Sequence, residues 1–164
     1  MSSSRKKVIV RKYSREWLAG YLPLTHFAQG GRVELLDLTG KVVDLPLDGV
    51  KWLCFVRDFN SGESGDPERL LRKSFLGRPR TEGLLLRLTL KDDDRLEGLA
   101  ANDLTLLDPE GIFLIPPDIR SNTQRVFIPL SSIAELEIAA VITSPSRRKS
   151  AEVPQQESLF DKTD

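Results

Sequence analysis

The sequence predicts a mainly β fold in which two small barrel-like units follow one another, joined by a short helix and trailed by a disordered tail. Three observations carry that reading. Short apolar strands separated by turn residues fill residues 7–59 and 83–142. The order of features in the first segment recurs in the second. Residues 60–82 and 143–164 differ from both in composition.

In the first segment Val8-Ile9-Val10 begins a strand, and Leu18-Ala19-Gly20-Tyr21-Leu22 follows it. Arg32 to Leu36 is a further strand, Gly40 a turn, and Lys51 to Val56 a closing strand. In the second, Leu84 to Leu90 alternates and Asp92-Asp93-Asp94 turns. Leu96-Glu97-Gly98-Leu99 comes next, then Gly111 to Ile115, and a last strand ends at Ile138.

The match pivots on Leu45-Pro46-Leu47-x-x-Val50 against Ile128-Pro129-Leu130-x-x-Ile133. Proline suits a strand end because it has no ladder N–H to lose, and x-x is then a single turn before the core is re-entered. Gly20 and Gly98 fall at matching places, where a sharply bent strand needs a residue without Cβ. One continuous sheet, or a helical core, would defeat the argument for a repeat. The expected core is Val8, Val10, Leu35, Val43, Leu45, Val50, Leu53 and Phe55 in the first unit. In the second it is Leu86, Leu88, Leu90, Leu99, Phe113, Ile115, Val126, Ile128, Ile133 and Ile138.

Between the units, Asn60 to Gly65 is loop chemistry. Asp66 is a good N-cap and Pro67 a good first helical residue, so 67–75 reads as a short helix with Leu70, Leu71 and Phe75 facing the barrels. The tail, 143–164, is too polar to bury enough apolar surface to order itself.

Composition narrows the class. At 164 residues the chain needs no staples, and 24 basic against 24 acidic residues leave no net polyelectrolyte signal. Cys54, the single cysteine, sits in the apolar run Trp52 to Val56, so it reads as a small buried hydrophobe in a reducing compartment. The N-terminal residues lack an apolar signal region, and the apolar runs fall short of the ~20 residues that span a bilayer. The expectation is a cytoplasmic protein.

The features at Leu86 to Leu90, Asp92-Asp93-Asp94 and Glu97-Gly98-Leu99, followed by a hairpin and a terminal strand after an x-x-Ile turn, resemble the Sm-like family of five-stranded barrels. The resemblance covers about 84–138, with a degraded copy over 7–57, and implies a tandem pair of Sm/SH3-like barrels. RNA-binding members carry a basic residue and a glycine at the last turn. Here Ile128-Pro129-Leu130 stands in that place, so neither their RNA contacts nor their ring assembly carries over. The whole chain also resembles a bacterial family of uncharacterised proteins through Phe55-Val-Arg-Asp-Phe59, Arg78-Pro79-Arg80 and Ser121-Asn-Thr-Gln-Arg125, a likeness that implies a bacterial source and brings no activity.

Catalytic chemistry finds little footing. With His26 the only histidine, no Ser/His or Cys/His pair can be assembled with a choice of partners, and no metal-spaced His/Cys cluster occurs. Asp92-Asp93-Asp94 lacks the spacing of a calcium loop and reads as a solvated turn. No phosphate-cradling glycine loop is present. Enzymatic function, a metal and a cofactor are therefore not expected.

Binding functions remain. Arg11-x3-Arg15 matches half of the cyclic-dinucleotide (PilZ-type) signature, but Asp37-Leu-Thr-Gly40 has threonine for serine and its glycine two positions early. For nucleic acid, local basicity lies at the front in Arg5, Lys6, Lys7, Arg11, Lys12 and Arg15 and in the linker in Arg69, Arg72, Lys73, Arg78 and Arg80. Arg120, Asn122, Gln124 and Arg125 flank a loop of the second unit, and small barrels often present such loops to phosphates. In the tail, Gln156-Glu157-Ser158-Leu159-Phe160 resembles the pentapeptide that binds bacterial sliding clamps. Gln156 would bond at the pocket rim and Leu159 and Phe160 would enter it, although Glu157 stands where leucine is usual. The expectation is a non-catalytic binding or adaptor module with a protein partner, nucleic acid being the alternative and a membrane excluded.

Overall fold

The computed structural model describes residues 4–23, 25–59, 74–118 and 121–143. The tail from 144 onward lies outside them, with Gln156, Leu159 and Phe160. So does most of the helix expected over 67–75, of which Ser74 and Phe75 are described and are not helical.

The first segment supplies β1 (Arg5–Lys12), β2 (Trp17–Pro23), β3 (Ala28–Gln29), β4 (Arg32–Asp37), β5 (Val42–Pro46) and β6 (Val50–Val56). The second supplies β7 (Gly83–Leu90), β8 (Arg95–Ala100), β9 (Gly111–Leu114), β10 (Thr123–Pro129) and β11 (Ile133–Ile142). Among the described residues the helical pieces are single 3-10 turns, so the mainly β class holds. The strands form two antiparallel sheets. One has eight strands in the order β3-β4-β2-β1-β6-β10-β9, with β5 added on β4; the other is β11-β7-β8.

The division between sheets does not follow the division between segments. β6 is bonded to β1 on one edge and to β10, from the second segment, on the other. Every residue of β6 is buried because it serves a core on each face. Leu53 and Phe55 join Val8, Val10, Leu22, Val33, Leu35 and Leu45 on one side. Trp52, Cys54 and Val56 join Leu84, Leu86, Leu88, Leu90, Ile112, Leu114 and Ile128 on the other. Cys54 is fully buried, as its apolar run suggests.

Three core assignments differ from the sequence reading. Phe113 packs on the first core, against Phe27, Phe55 and Phe127, because it lies on the face of β9 opposite to Ile112 and Leu114. Ile115, just past β9, is 36% exposed; its backbone bridges to Leu99 while its side chain points away from the core that Leu114 enters. Ile138 is 56% exposed because it stands on β11, which has a strand on one edge only.

Several local geometries occur once in each segment. The β1–β2 and β7–β8 turns are closed by Lys12 N–H to Glu16 O (3.0 Å) and Leu90 N–H to Asp94 O (2.8 Å), with Arg15 and Asp93 both left-handed at φ 72° and 68°. Extended Pro46 and Pro129 each lead into a 3-10 turn, after which the N–H groups of Val50 and Ile133 donate to Leu47 O and Leu130 O. The β1–β6 and β7–β11 ladders slip by one residue at the same place, beside Lys12–Val50 and Leu90–Ile133. A Cβ on Gly20 would lie 2.5 Å from Leu36 O and one on Gly98 2.8 Å from Leu114 Cβ, so both bends need glycine.

Candidate nucleic-acid interface

β1 alternates. Val8 and Val10 point into the first core, which leaves Arg5, Lys7, Ile9 and Arg11 on the other face. The register of β2 sets Tyr21 beside Lys7, Ala19 beside Ile9 and Trp17 beside Arg11. Two cation–aromatic groupings result. The Arg11 guanidinium lies 4.5 Å from the centre of the Trp17 ring. Lys7 Nζ lies 5.8 Å from the Phe59 ring, which meets Tyr21 edge-on at 5.6 Å. Trp17 is 38% exposed, and Arg5 is exposed at the strand end. Such contacts are worth about 0.5–1 kcal/mol each at a surface, enough to hold the cations along the rings. The face therefore offers positive charge for phosphates and flat apolar rings for bases, the two elements of sequence-tolerant single-strand recognition. Tyr21, Trp17 and Phe59 escaped the sequence reading; the strand alternation that pairs them with Lys7 and Arg11 was the available signal.

Of the basic residues singled out from sequence, Arg5, Lys7 and Arg11 lie on this face; those of the linker and the second unit lie elsewhere and apart. Arg125 is exposed on β10, its guanidinium 4.3 Å over the Phe113 ring and 5.7 Å from Phe55. Asn122 is buried. Its Oδ1 accepts from Asp58 N–H (3.0 Å) and its Nδ2 donates to Asp58 O (2.7 Å), while Arg57 N–H donates to Asn122 O (3.0 Å). That side chain fastens the end of β6 to the start of β10. Arg78 and Arg80 are exposed, Arg78 beside Phe75 and Pro79 in a hollow against the outer side of β8 and the end of β11. Arg120 lies outside the described residues. Arg11 pairs with Trp17 at the start of β2 and Asp37 with Gly20 at its middle, and the Asp37 carboxylate already accepts from Thr39 N–H (2.9 Å), Thr39 Oγ1 (2.7 Å) and Lys41 N–H (2.9 Å). The Thr39 hydroxyl bond leads in holding this carboxyl below its usual pKa.

A model of a family of unknown function, DUF6982, matches residues 4–140. The chain belongs to that family. No curated protein and no solved structure matches it. The matched span takes in strands of both segments and both sheets.

Family membership assigns no chemistry, and a second polar cluster has to be judged on its own geometry. At the slipped residue of β6, buried Lys51 reaches the β7–β8 turn and pairs with Asp92 (2.6 Å) and Asp94. Nearby, the Tyr13 hydroxyl bonds that of Ser132, and Lys91 lies over the Tyr13 ring (4.8 Å) while donating to Asp48 O (3.2 Å). Burial works to lower the Lys51 pKa, but the bonds and charges of Asp92 and Asp94 outweigh it and raise it overall. Burial also raises Tyr13, against the bond from Ser132. Ser132 is fully buried. Every one of these contacts runs from one segment to the other, and the cluster works as a clasp. Asp92 and Asp94, read from sequence as a solvated turn, do form the turn, and they also anchor this lysine. Among the described residues no three His, Cys, Asp or Glu side chains are grouped to hold a metal, and no helix is long and apolar enough to cross a membrane.

Proposed function

We propose that this chain is a non-catalytic cytoplasmic binding module, built from two copies of one small-barrel unit, whose working surface is the basic–aromatic face of β1 and β2 and whose ligand is single-stranded nucleic acid. The observation that carries the ligand is the alignment of Lys7 and Arg11 on Phe59 and Trp17 along the β1–β2 face, where Arg5 and Trp17 are exposed, Lys7 and Arg11 are half-buried, and Ile9 and Phe59 pack on the second core. The two-copy reading is supported by the left-handed turn residues Arg15 and Asp93, the paired proline–3-10 turns and the ladder slip that recurs at the same place.

Arg5, Lys7 and Arg11, each neutralising one phosphate and releasing the counterion condensed on it, predict a slope near −2 in log affinity against log salt, at about −0.7 per phosphate. Raising salt fourfold then weakens binding by roughly 15-fold. Fluorescence anisotropy with a labelled 20-nucleotide oligo-dT and its oligo-U equivalent measures this directly. Trp17→Ala is expected to cost about tenfold, one lost stacking contact of ~1.4 kcal/mol. Lys7→Ala should flatten the salt slope by about 0.7. Asn122→Ala should leave affinity unchanged. Binding that ignores salt, or that survives Trp17→Ala and Lys7→Ala together, removes this face as the site.

A further inference from the structure

Inside the chain one strand edge is already covered by another. β10 lies antiparallel on β6, with Arg125, Val126 and Phe127 opposite Phe55, Cys54 and Leu53. β11 stands to β7 as β6 stands to β1. Lys12, Val10 and Val8 meet Val50, Leu53 and Phe55; Leu90, Leu88 and Leu86 meet Ile133, Leu136 and Ile138. But among the described residues β11 pairs with β7 alone. The exposures show what is missing. Leu53 and Phe55 are 0% and 4% exposed, whereas their counterparts Leu136 and Ile138 are 44% and 56% exposed. A ten-residue edge with an apolar stripe is a template for one more strand.

Charge decides what that strand is. Glu135 and Glu137 alternate with Leu136 and Ile138 and are exposed, standing where β6 has Trp52 and Cys54. Glu137 lies opposite Arg87, whose Nε donates to Glu97 (3.1 Å); Arg87 and Arg95 share this hollow with Glu97, Glu135 and Glu137, so the carboxylates outnumber the cations there by one. A second copy fits poorly in either arrangement. β11 against β11 brings Glu135 and Glu137 near their own counterparts, and like charges across a ladder repel. Among the described strands longer than two residues, β5, β8 and β9 also pair with one named strand each; the Leu99–Ile115 bridge ties β8 to the chain just past β9, which leaves β5 as the edge to test. Repeating the β6–β10 register there sets Leu136 opposite Asp44 and Glu137 opposite Val43, where the internal junction has Leu53–Phe127 and Cys54–Val126.

We propose that the free edge of β11 receives an extended segment of a partner protein as an added antiparallel strand, its apolar side chains over Leu136 and Ile138 and its lysines or arginines over Glu135 and Glu137. The surface is separate from the β1–β2 face, so the two readings stand or fall independently.

The probe is a synthetic labelled peptide, acetyl-Thr-Lys-Val-Lys-Val-Lys-Val-amide, titrated against the full chain, with a version carrying glutamate for lysine as control. Saturable binding is expected for the basic peptide and none for the acidic one. Glu137→Lys and Ile138→Thr, both at exposed positions, should each weaken it at least tenfold, and Glu34→Lys on β4 should leave it unchanged. Amide exchange over 135–141 should slow at least tenfold on saturation. Equal loss with Glu34→Lys reduces the effect to general charge attraction and overturns the proposal. Protection of the β11 amides without peptide, rising with protein concentration, makes the occupant a second copy and overturns it too.

Discussion

Lys51 shows how much one side chain can couple. It sits at the ladder slip of β6, a strand otherwise wholly apolar, and reaches two carboxylates on the other segment. Its ammonium holds its proton more tightly folded than unfolded, so its contribution to stability is complete below the ordinary lysine value of 10.5 and drains away as pH rises beyond it. Tyr13, also raised above its ordinary 10.0, acts in the same direction. Lys51→Met should therefore cost about 2 kcal/mol at neutral pH, by leaving the carboxylates of Asp92 and Asp94 facing each other without the ammonium between them. Urea denaturation at stepped pH should show the gap between wild type and variant closing above pH 10.5. A gap that stays constant through that range would mean the lysine stabilises by packing alone. From sequence, Lys51 was legible only as a lysine inside an apolar run. Its partners lie 41 and 43 positions away, and no local pattern joins them. Asn122 was legible as a polar residue of note and misread in kind, since an amide that bonds a distant backbone looks the same in sequence as one that awaits a ligand.

At the scale of elements, the sequence pattern was most informative where a strand has one buried face. β1, β4 and β7 alternate as expected, and the proline–3-10 turns fall where Leu45-Pro46-Leu47 and Ile128-Pro129-Leu130 put them. It was least informative for β6 and β11. A strand buried on both faces reads as a continuous apolar run, and β6 was taken as the end of a unit when it is the centre of a sheet. β11 has the residues of a core strand and no cover, so Ile138 was misplaced. Gly20 and Gly98 offer a test of the bends between these strands. A methyl at Gly20 would lie 2.5 Å from a backbone carbonyl, Leu36 O, whereas at Gly98 its closest neighbour is a side chain, Leu114 Cβ at 2.8 Å. Leu114 Cβ moves only with its backbone, so neither clash is relieved by a rotamer change. Gly20→Ala and Gly98→Ala should each cost about 2–3 kcal/mol. Thermal or urea unfolding of the two variants measures this; a loss under ~1 kcal/mol in either would show that its bend yields.

For the whole molecule, the question is whether two similar units fold separately. Their mutual burial argues that they do not. β6 gives Trp52, Cys54 and Val56 to a core made otherwise by the second segment, and β9 and β10 give Phe113 and Phe127 to the core of the first. The four rings of Phe27, Phe55, Phe113 and Phe127 lie 5.0–5.6 Å apart where they meet, and two come from each segment. Separating the segments would expose both faces of β6, and a 60-residue domain is already marginal with an intact core. Two fragments, 1–65 and 66–164, should each show little strand signal by far-ultraviolet circular dichroism. Mixed in equal amounts they should regain the spectrum of the intact chain, because the ladder and both cores re-form without the covalent link. The intact chain should unfold in urea in a single transition, with tryptophan fluorescence and circular dichroism coinciding, since Trp52 reports the shared core. Two fragments that each fold alone, or two separate transitions, would place the stability within the units. The β6–β10 junction would then be a docking contact between finished domains, a different molecule in energetic terms from one whose central strand completes two cores.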